Sequence, residues 1–398
     1  MAERQEEPRW NLATRIAFRF AFAYFALNFI VSLMGLLPFL KPVLPAYFDF
    51  WDAVVVWAHE EFRFRQEIDF EGRYPNNGIY GWILFLCYLA LAALVTLIWS
   101  ALDRNRLQYT RLHQGLRLML RYMLALTMIG YGVIKVIPAQ MTAPPPLGVL
   151  QQRVGDIFPN HILWWTVGAS PAFESFTGLA ELLGGVLLLV PRTTLLGALI
   201  CAANMLLVFV LNMCYDVPVK LYSLQLMVMA LVLTAPDLRR LADVFLFNRR
   251  VEPVRVPPLF ARKWLDRLPH VLLFLYGLYA VGRGLDNTAE RYKLYHPPRP
   301  PYYGIWTVEE YAVAGRDAPV SADPNRWRLV MVSAPGSLRV ELMSGSWKTH
   351  PLAELSIDQP EEDVLVLNGT MDGRRTRVKL RKAALIRNDF HWIVDGSR

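Results

Sequence analysis

The chain has 398 residues, 54% of them hydrophobic and 19% charged, and a formal net charge of +8. That apolar share, with a mean hydropathy of +0.26, exceeds what one soluble core of ordinary shape needs, so a purely soluble enzyme is excluded. The positive charge sits in short loops between apolar runs, a pattern that belongs to membrane orientation and not to nucleic-acid binding.

The start, MAERQEEPRWNLATR, is charged and is followed by an apolar run too long for a signal-peptide core, so it reads as a retained first span. A helix needs about 20 apolar residues to cross the hydrocarbon. Runs of that kind lie at 16–39, 78–102, 118–137, 172–190, 193–213, 217–235 and 268–285, which makes about seven transmembrane helices. The stretch Phe48–Phe64 is amphipathic and short, and is expected in the interface or packed on the bundle. Its WAHEEF run lacks the second histidine of HExxH, since Phe62 and Arg63 follow, and no metal site is read there. Cys87, Cys201 and Cys214 lie in or beside apolar segments without CxxC spacing, which argues against a disulfide framework or a redox dithiol.

Arg104, Arg106, Arg111 and Arg117 precede the third span. Arg239, Arg240, Arg249, Arg250, Arg255, Arg262, Lys263 and Arg267 precede the seventh. The positive-inside rule makes both loops cytoplasmic. The segment from Ala139 to Pro171 holds one basic residue, Arg153, beside a Pro144-Pro145-Pro146 turn, and is assigned to the other side. The N-terminus is then cytoplasmic and the C-terminal domain extracytoplasmic.

A stiff spacer, His296 to Pro301, follows the seventh span. Beyond it apolar and polar residues alternate with period two: Leu338, Val340 and Leu342 oppose Arg339 and Glu341, and Val378 and Leu380 oppose Arg377, Lys379 and Arg381. With turn signals at Pro335-Gly336, Ser344-Gly345-Ser346 and Asp372-Gly373, the expectation is a small antiparallel β-barrel or sandwich of seven or eight strands. Gly304-Ile305-Trp306 resembles the lipocalin G-x-W first strand, whose Trp packs against a late Arg; a core Trp of any β domain is the alternative. The basic run Arg374 to Lys382 reads as an outward strand face, with anionic headgroups as the other reading. The domains so drawn are 1–115, N-terminal helices; 116–245, a four-helix bundle; 246–290, a basic loop and the last span; and 291–398, the lipocalin-like β domain.

Charged side chains in hydrocarbon cost roughly 2.5 to 3.5 kcal/mol each on insertion scales, so each needs a partner or a purpose. Glu181 lies well inside the fourth span, in FTGLAELLGGVLLLV, and is either protonated, paired or lining a polar cavity. Glu174 is two turns earlier on the same face. Ala180 and Gly184 form a small-xxx-small pair that allows close helix approach. Lys135, three residues before Pro138, either snorkels to the interface or pairs with Glu181 or Glu174. Asn204 and Asn212 share a stripe of the fifth span and read as interhelical hydrogen-bonding residues or as site residues. Asp216, four residues before Lys220, is placed to pair with it or to cap the next helix. Lys135, Glu174, Glu181, Asn212, Asp216 and Lys220 fall in the outer half of the bundle, which predicts a polar pocket opening toward the outer leaflet and the β domain, roofed by Tyr131, Tyr215 and Tyr222.

YGVIKVIP, GASPAFESFTGLAELLGGVLLLVPRTTLLGALI and NMCYDVPVKLYSLQLMVMALVLTAPDLRRL, spanning about Arg117 to Leu241, resemble the DoxX-like integral membrane proteins, which are distantly similar to the membrane domain of vitamin K-dependent carboxylases. The resemblance implies a DoxX-like four-helix bundle in a bacterial cytoplasmic membrane and a quinone or other lipid-soluble partner near the outer leaflet, with a redox partner protein in the quinone case. It implies Lys135 and Glu181 as catalytic residues; Glu174, Asn212, Tyr215, Asp216, Lys220 and Tyr222, from the polar pocket read above, are the candidates for the substrate site. GxGxxG and Walker patterns are missing from the sequence, and so is a bis-histidine pair within the spans, so haem, flavin or metal would come from a partner. Three readings follow. The first is a quinone-linked membrane oxidoreductase or its membrane subunit. The second is a lipid or small-ligand binding module without catalysis. The third is a proton-coupled transporter, ranked last because no inverted repeat is visible.

Overall fold

A computed structural model of the chain describes residues 10–68, 78–141, 147–149, 154–252, 262–295, 300–317, 323–334, 336–371 and 374–383. Pro144 to Pro146, Arg153, Arg255, His296 to Arg299, Pro335 and Asp372-Gly373 lie outside the described residues. The chain divides into two compact units, one of residues 1–137 and 175–287, the other of residues 138–174 and 288–398.

The first unit is the helical bundle. Seven helices among the described residues are long and apolar enough to cross a membrane. They are α1 (Leu12–Leu36), α3 (Ile79–Leu102), α4 (Thr110–Val136), α6 (Pro171–Leu189), α7 (Thr194–Cys214), α8 (Lys220–Thr234), whose span runs on through a 3-10 turn and a further short helix to Phe245, and α10 (Lys263–Tyr295). Prolines punctuate them: Pro38 follows α1, Pro138 follows α4, Pro191 follows α6, and Pro171 opens α6 behind Ser170, whose Oγ accepts the Phe173 N–H at 3.2 Å. Two helices exceed their apolar runs. α4 begins eight residues before the expected Leu118, running through Gly115 of TRLHQGLR because one interior glycine costs a helix only about 1 kcal/mol, and α10 continues through DNTAERYKLY, which holds no proline.

Helix α2 (Leu44–Glu61) does not count among the seven. It lies along α3, with Trp51 against Tyr88 and Val55 and Ala58 against Tyr80 and Ile83. Tyr80 donates to Asp52 Oδ1 at 2.7 Å, and the Tyr47 and Tyr88 hydroxyls meet at 2.7 Å. The amphipathic stretch therefore packs on the bundle, as its pattern predicted. His59 contacts the Gln66 carbonyl at 2.7 Å. α5 (Pro159–Gly168) and α9 (Leu238–Phe245) are short.

One end of the bundle is basic. Arg15 donates to the carbonyls of Arg104 and Arg106 at 3.4 and 3.1 Å. Arg19, 1% exposed, is enclosed by Tyr109 and Ser100 side chains and the Asp103 carbonyl. Arg117 and Arg240 reach Asp237 at 4.0 and 2.7 Å. These contacts bring together the start of α1, the α3–α4 turn, the start of α4 and the end of α8.

The other unit contains the β domain. Its strands are β1 (Gly304–Val313), β2 (Arg316–Asp317), β3 (Trp327–Ala334), β4 (Ser337–Leu342), β5 (Trp347–Pro351), β6 (Leu355–Glu361), β7 (Val364–Met371) and β8 (Arg374–Lys382). They form one curled antiparallel sheet, a half-barrel, in the order β5-β4-β3-β1-β8-β7-β6, with β2 on β1. First and last strands pair as in an up-and-down barrel, and the sheet is open between β5 and β6. Alternate residues fill the inner face: Trp306, Trp327, Val330, Leu338, Val340, Leu365, Val378 and Leu380 are buried. Gly304, at φ +147°, takes a backbone conformation open to glycine. Trp306 is 1% exposed, its Nε1 donates to the Tyr302 carbonyl at 2.9 Å, and Lys382 Nζ of the last strand lies 5.6 Å from its ring centre. The late basic residue over the tryptophan is thus a lysine where the lipocalin pattern has arginine.

Candidate functional site

The site is built on a helix crossing that only glycine permits. A Cβ at Gly132 of α4 would lie 2.6 Å from the Leu182 backbone nitrogen, and one at Gly178 of α6 would lie 2.6 Å from that of Val136 and 2.7 Å from Lys135 Cβ. Gly185 meets Ala125 and Ile129 of α4 at 2.9 Å by the same measure. On its other side α6 rests on α7, where a Cβ at Gly184 would lie 2.8 Å from Cys201 Sγ and one at Gly197 2.9 Å from the Leu188 nitrogen. Small residues allow helix backbones to touch in lipid, where water supplies no drive for association.

At this crossing Lys135 Nζ donates to Glu181 Oε1 at 2.6 Å. Lys135 is 8% exposed and Glu181 2%. Glu181 Oε2 is enclosed with no hydrogen-bond partner. An ion pair in oil relieves most of the cost of each charge, and the unbonded oxygen leaves one acceptor site open.

The remaining polar residues of this half do not join the pair in one pocket. Glu174, 1% exposed, accepts the backbone N–H groups of Gln140 and Met141 at 3.0 and 3.1 Å and so pins the segment after α4. Asn212 donates to Ser223 Oγ at 3.0 Å and links α7 to α8. Lys220 pairs with Asp216 in the α7–α8 turn, where Asp216 has φ 53° and offers no side-chain cap to α8, whose N-cap is Val219. Tyr215 ends α7 as its C-cap. The expected roof is partly formed: the Tyr131 and Tyr222 rings meet edge to face at 6.4 Å, and Tyr222 also lies 3.4 Å from Thr127 Oγ1.

Those two tyrosines border a cavity of about 650 Å³ between α1, α2, α3, α4 and α8, which residue patterning along single helices did not reveal. Its wall is mainly apolar, with Phe29, Leu84, Phe85, Leu226 and Met229, and carries the polar groups of Tyr24, Asn28, Tyr88, Thr127, Tyr131, Tyr222 and Gln225. Lys135 and Glu181 are not in this wall. Tyr131 is the residue common to both places, since it lines the cavity and precedes Lys135 by one turn of α4. The β domain has its own cleft of about 560 Å³ among outward-pointing side chains, including Glu310, Asp317, Asn368, Arg375, Arg377 and Lys379.

Fold and site together define a polytopic helical membrane protein with a C-terminal β half-barrel. Over 134 residues, which are 34% of this chain and 82% of the relative, the sequence is 36% identical to the uncharacterized protein YwoB of Bacillus subtilis (strain 168), and the chain belongs to the family of that protein. No family model matches the chain, and no solved structure matches it significantly.

Proposed function

We propose that the bundle binds a lipid-soluble ligand of the quinone class and exchanges protons with its head group, as a quinone-linked membrane oxidoreductase or the membrane subunit of one. The observation that carries this reading is the cavity, apolar over most of its wall and edged by hydroxyls, with Tyr131 of that wall one turn of α4 before Lys135 of the buried pair. A cavity of this size suits a ring with the first part of its tail, and ligand sites of a few hundred Å³ with few polar groups are the usual pattern. Tyr131 and Tyr222 would hydrogen-bond the ring oxygens. The Lys135–Glu181 pair would take and return the proton. The quinone carries the electrons itself, and a redox partner protein exchanges them with it.

The resemblance of α4, α6, α7 and α8 to the DoxX-like bundle supports the same reading. We place the basic end of the bundle in the cytoplasm and the β domain outside the membrane, by the positive-inside rule. A second reading, binding without catalysis, is favoured by the position of Lys135 and Glu181 outside the cavity wall.

Extraction of native lipids from gently purified protein, with mass spectrometry of quinones, tests the proposal. Quinone is expected with the wild type and with Glu181→Gln, and quinol-dependent proton exchange is expected with the wild type alone. Quinone bound equally well by both proteins, with proton exchange in neither, supports the second reading. Lack of quinone in the wild-type extract contradicts the proposal.

A further inference from the structure

A second buried charge lies toward the other end of α4. Arg121 is 7% exposed, yet its hydrogen bonds go only to neutral groups: Nη2 donates to the Tyr122 hydroxyl at 2.6 Å and meets His270 Nδ1 of α10 at 2.9 Å. Its Nε is enclosed without a partner. Among the described residues it has no ion pair, and Asp237 is taken by Arg240 and Arg117. An arginine held in a membrane bundle with no counter-charge is costly, and a guanidinium in that state is a receptor for an anion.

The helix register gives the depth of this anion. Gly132 of α4 meets Gly178, and Ala125 meets Gly185, so the antiparallel register puts Arg121 level with the end of α6 at Leu189 to Arg192. That is toward the basic end of the bundle, one helical turn inside the span expected from Leu118 and within reach of a headgroup phosphate. The flank beside it is apolar: Trp264, Leu268, Val271 and Leu272 of α10 are exposed large side chains that a lipid tail can cover. We propose that Arg121, with Tyr122 and His270, seats the phosphate of an anionic phospholipid. Arg121 binds the phosphate through its Nη1 edge. The Tyr122 hydroxyl, which accepts from Arg121, lies 3.1 Å from His270 Nδ1, so the tyrosine and the imidazole hold each other and the guanidinium in place. Arg239, Arg249 and Arg250 concentrate anionic lipid at this surface. The inference is independent of the quinone reading, because its residues lie outside the cavity wall.

The test uses the full chain in detergent, titrated separately with phosphatidylglycerol, phosphatidylcholine and inorganic phosphate, with retained lipid read by native mass spectrometry and stability by the thermal midpoint. Phosphatidylglycerol should be retained and raise the midpoint, and the other two should do neither. Each basic group near a lipid surface contributes about fivefold in binding, so Arg121→Gln should lower phosphatidylglycerol retention by about that factor. Arg121→Gln should also keep or raise the midpoint without lipid, because it removes an uncompensated charge; His270→Asn provides a second variant with weakened retention. Equal retention of the two lipids by the wild type, or unchanged retention in both variants, overturns the proposal. An equal midpoint shift with inorganic phosphate overturns it in favour of a small-anion seat.

Discussion

Lys135 and Glu181 stabilise each other, and their value depends on both being present. Removing one partner leaves a charge in oil, and such changes cost about 3 to 5 kcal/mol, whereas replacing both by neutral groups of similar size is often nearly neutral. Glu181→Gln and Lys135→Met should therefore each lower stability by about 3 kcal/mol, and the double variant should recover most of that loss. Thermal unfolding in detergent measures all three, and additive losses would show that the pair is not coupled. Asn212 belongs to a different class of contact. Its bond to Ser223 joins two helices, and Asn212→Leu should cost about 0.6 to 1.7 kcal/mol, the range of single interhelical hydrogen bonds in membranes. The sequence allowed both roles for Asn212 because an amide in a span always wants a partner, and only the partner's place on α8 tells which role holds.

At the scale of helices, glycine position decides whether the site can form. Gly178→Ala puts a methyl group against the α4 backbone at 2.6 Å and must move the helices apart, a strain of about 1 to 3 kcal/mol that should also lengthen the Lys135–Glu181 contact. Gly130, two residues before Gly132 on the same helix, has open space around it, so Gly130→Ala should be neutral or stabilising by about 0.5 to 1 kcal/mol. Parallel melting curves check the contrast, and equal effects at the two positions would contradict the packing described. The spans were legible because a run of about 20 apolar residues has few other structural solutions. The cavity was not, because its wall comes from five helices, and a Leu or Tyr facing it is indistinguishable in sequence from one facing lipid. Glu174 illustrates the same limit: periodicity placed it on the face of Glu181, yet the backbone N–H groups it accepts come from the segment after α4.

Over the whole molecule, the chain combines a bundle assembled by close backbone contact with a β domain assembled around buried aromatic rings. Trp306→Ala should cost about 3 to 5 kcal/mol in the β domain, seen as loss of hydrogen-exchange protection in β1, β3 and β8, and leave exchange in α4 and α7 unchanged. The alternation in β4 and β8 made this domain readable in the sequence, whereas the gap between β5 and β6 depends on pairing that local pattern does not encode. The central claim concerns the bundle, and binding of a short-tailed quinone tests it most directly when the wild type is compared with Met229→Trp, which fills the cavity from α8. Saturable binding is expected of the wild type and a loss of about tenfold or more in the variant, equivalent to about 1.4 kcal/mol. Equal binding by the two proteins would place the quinone elsewhere and contradict it.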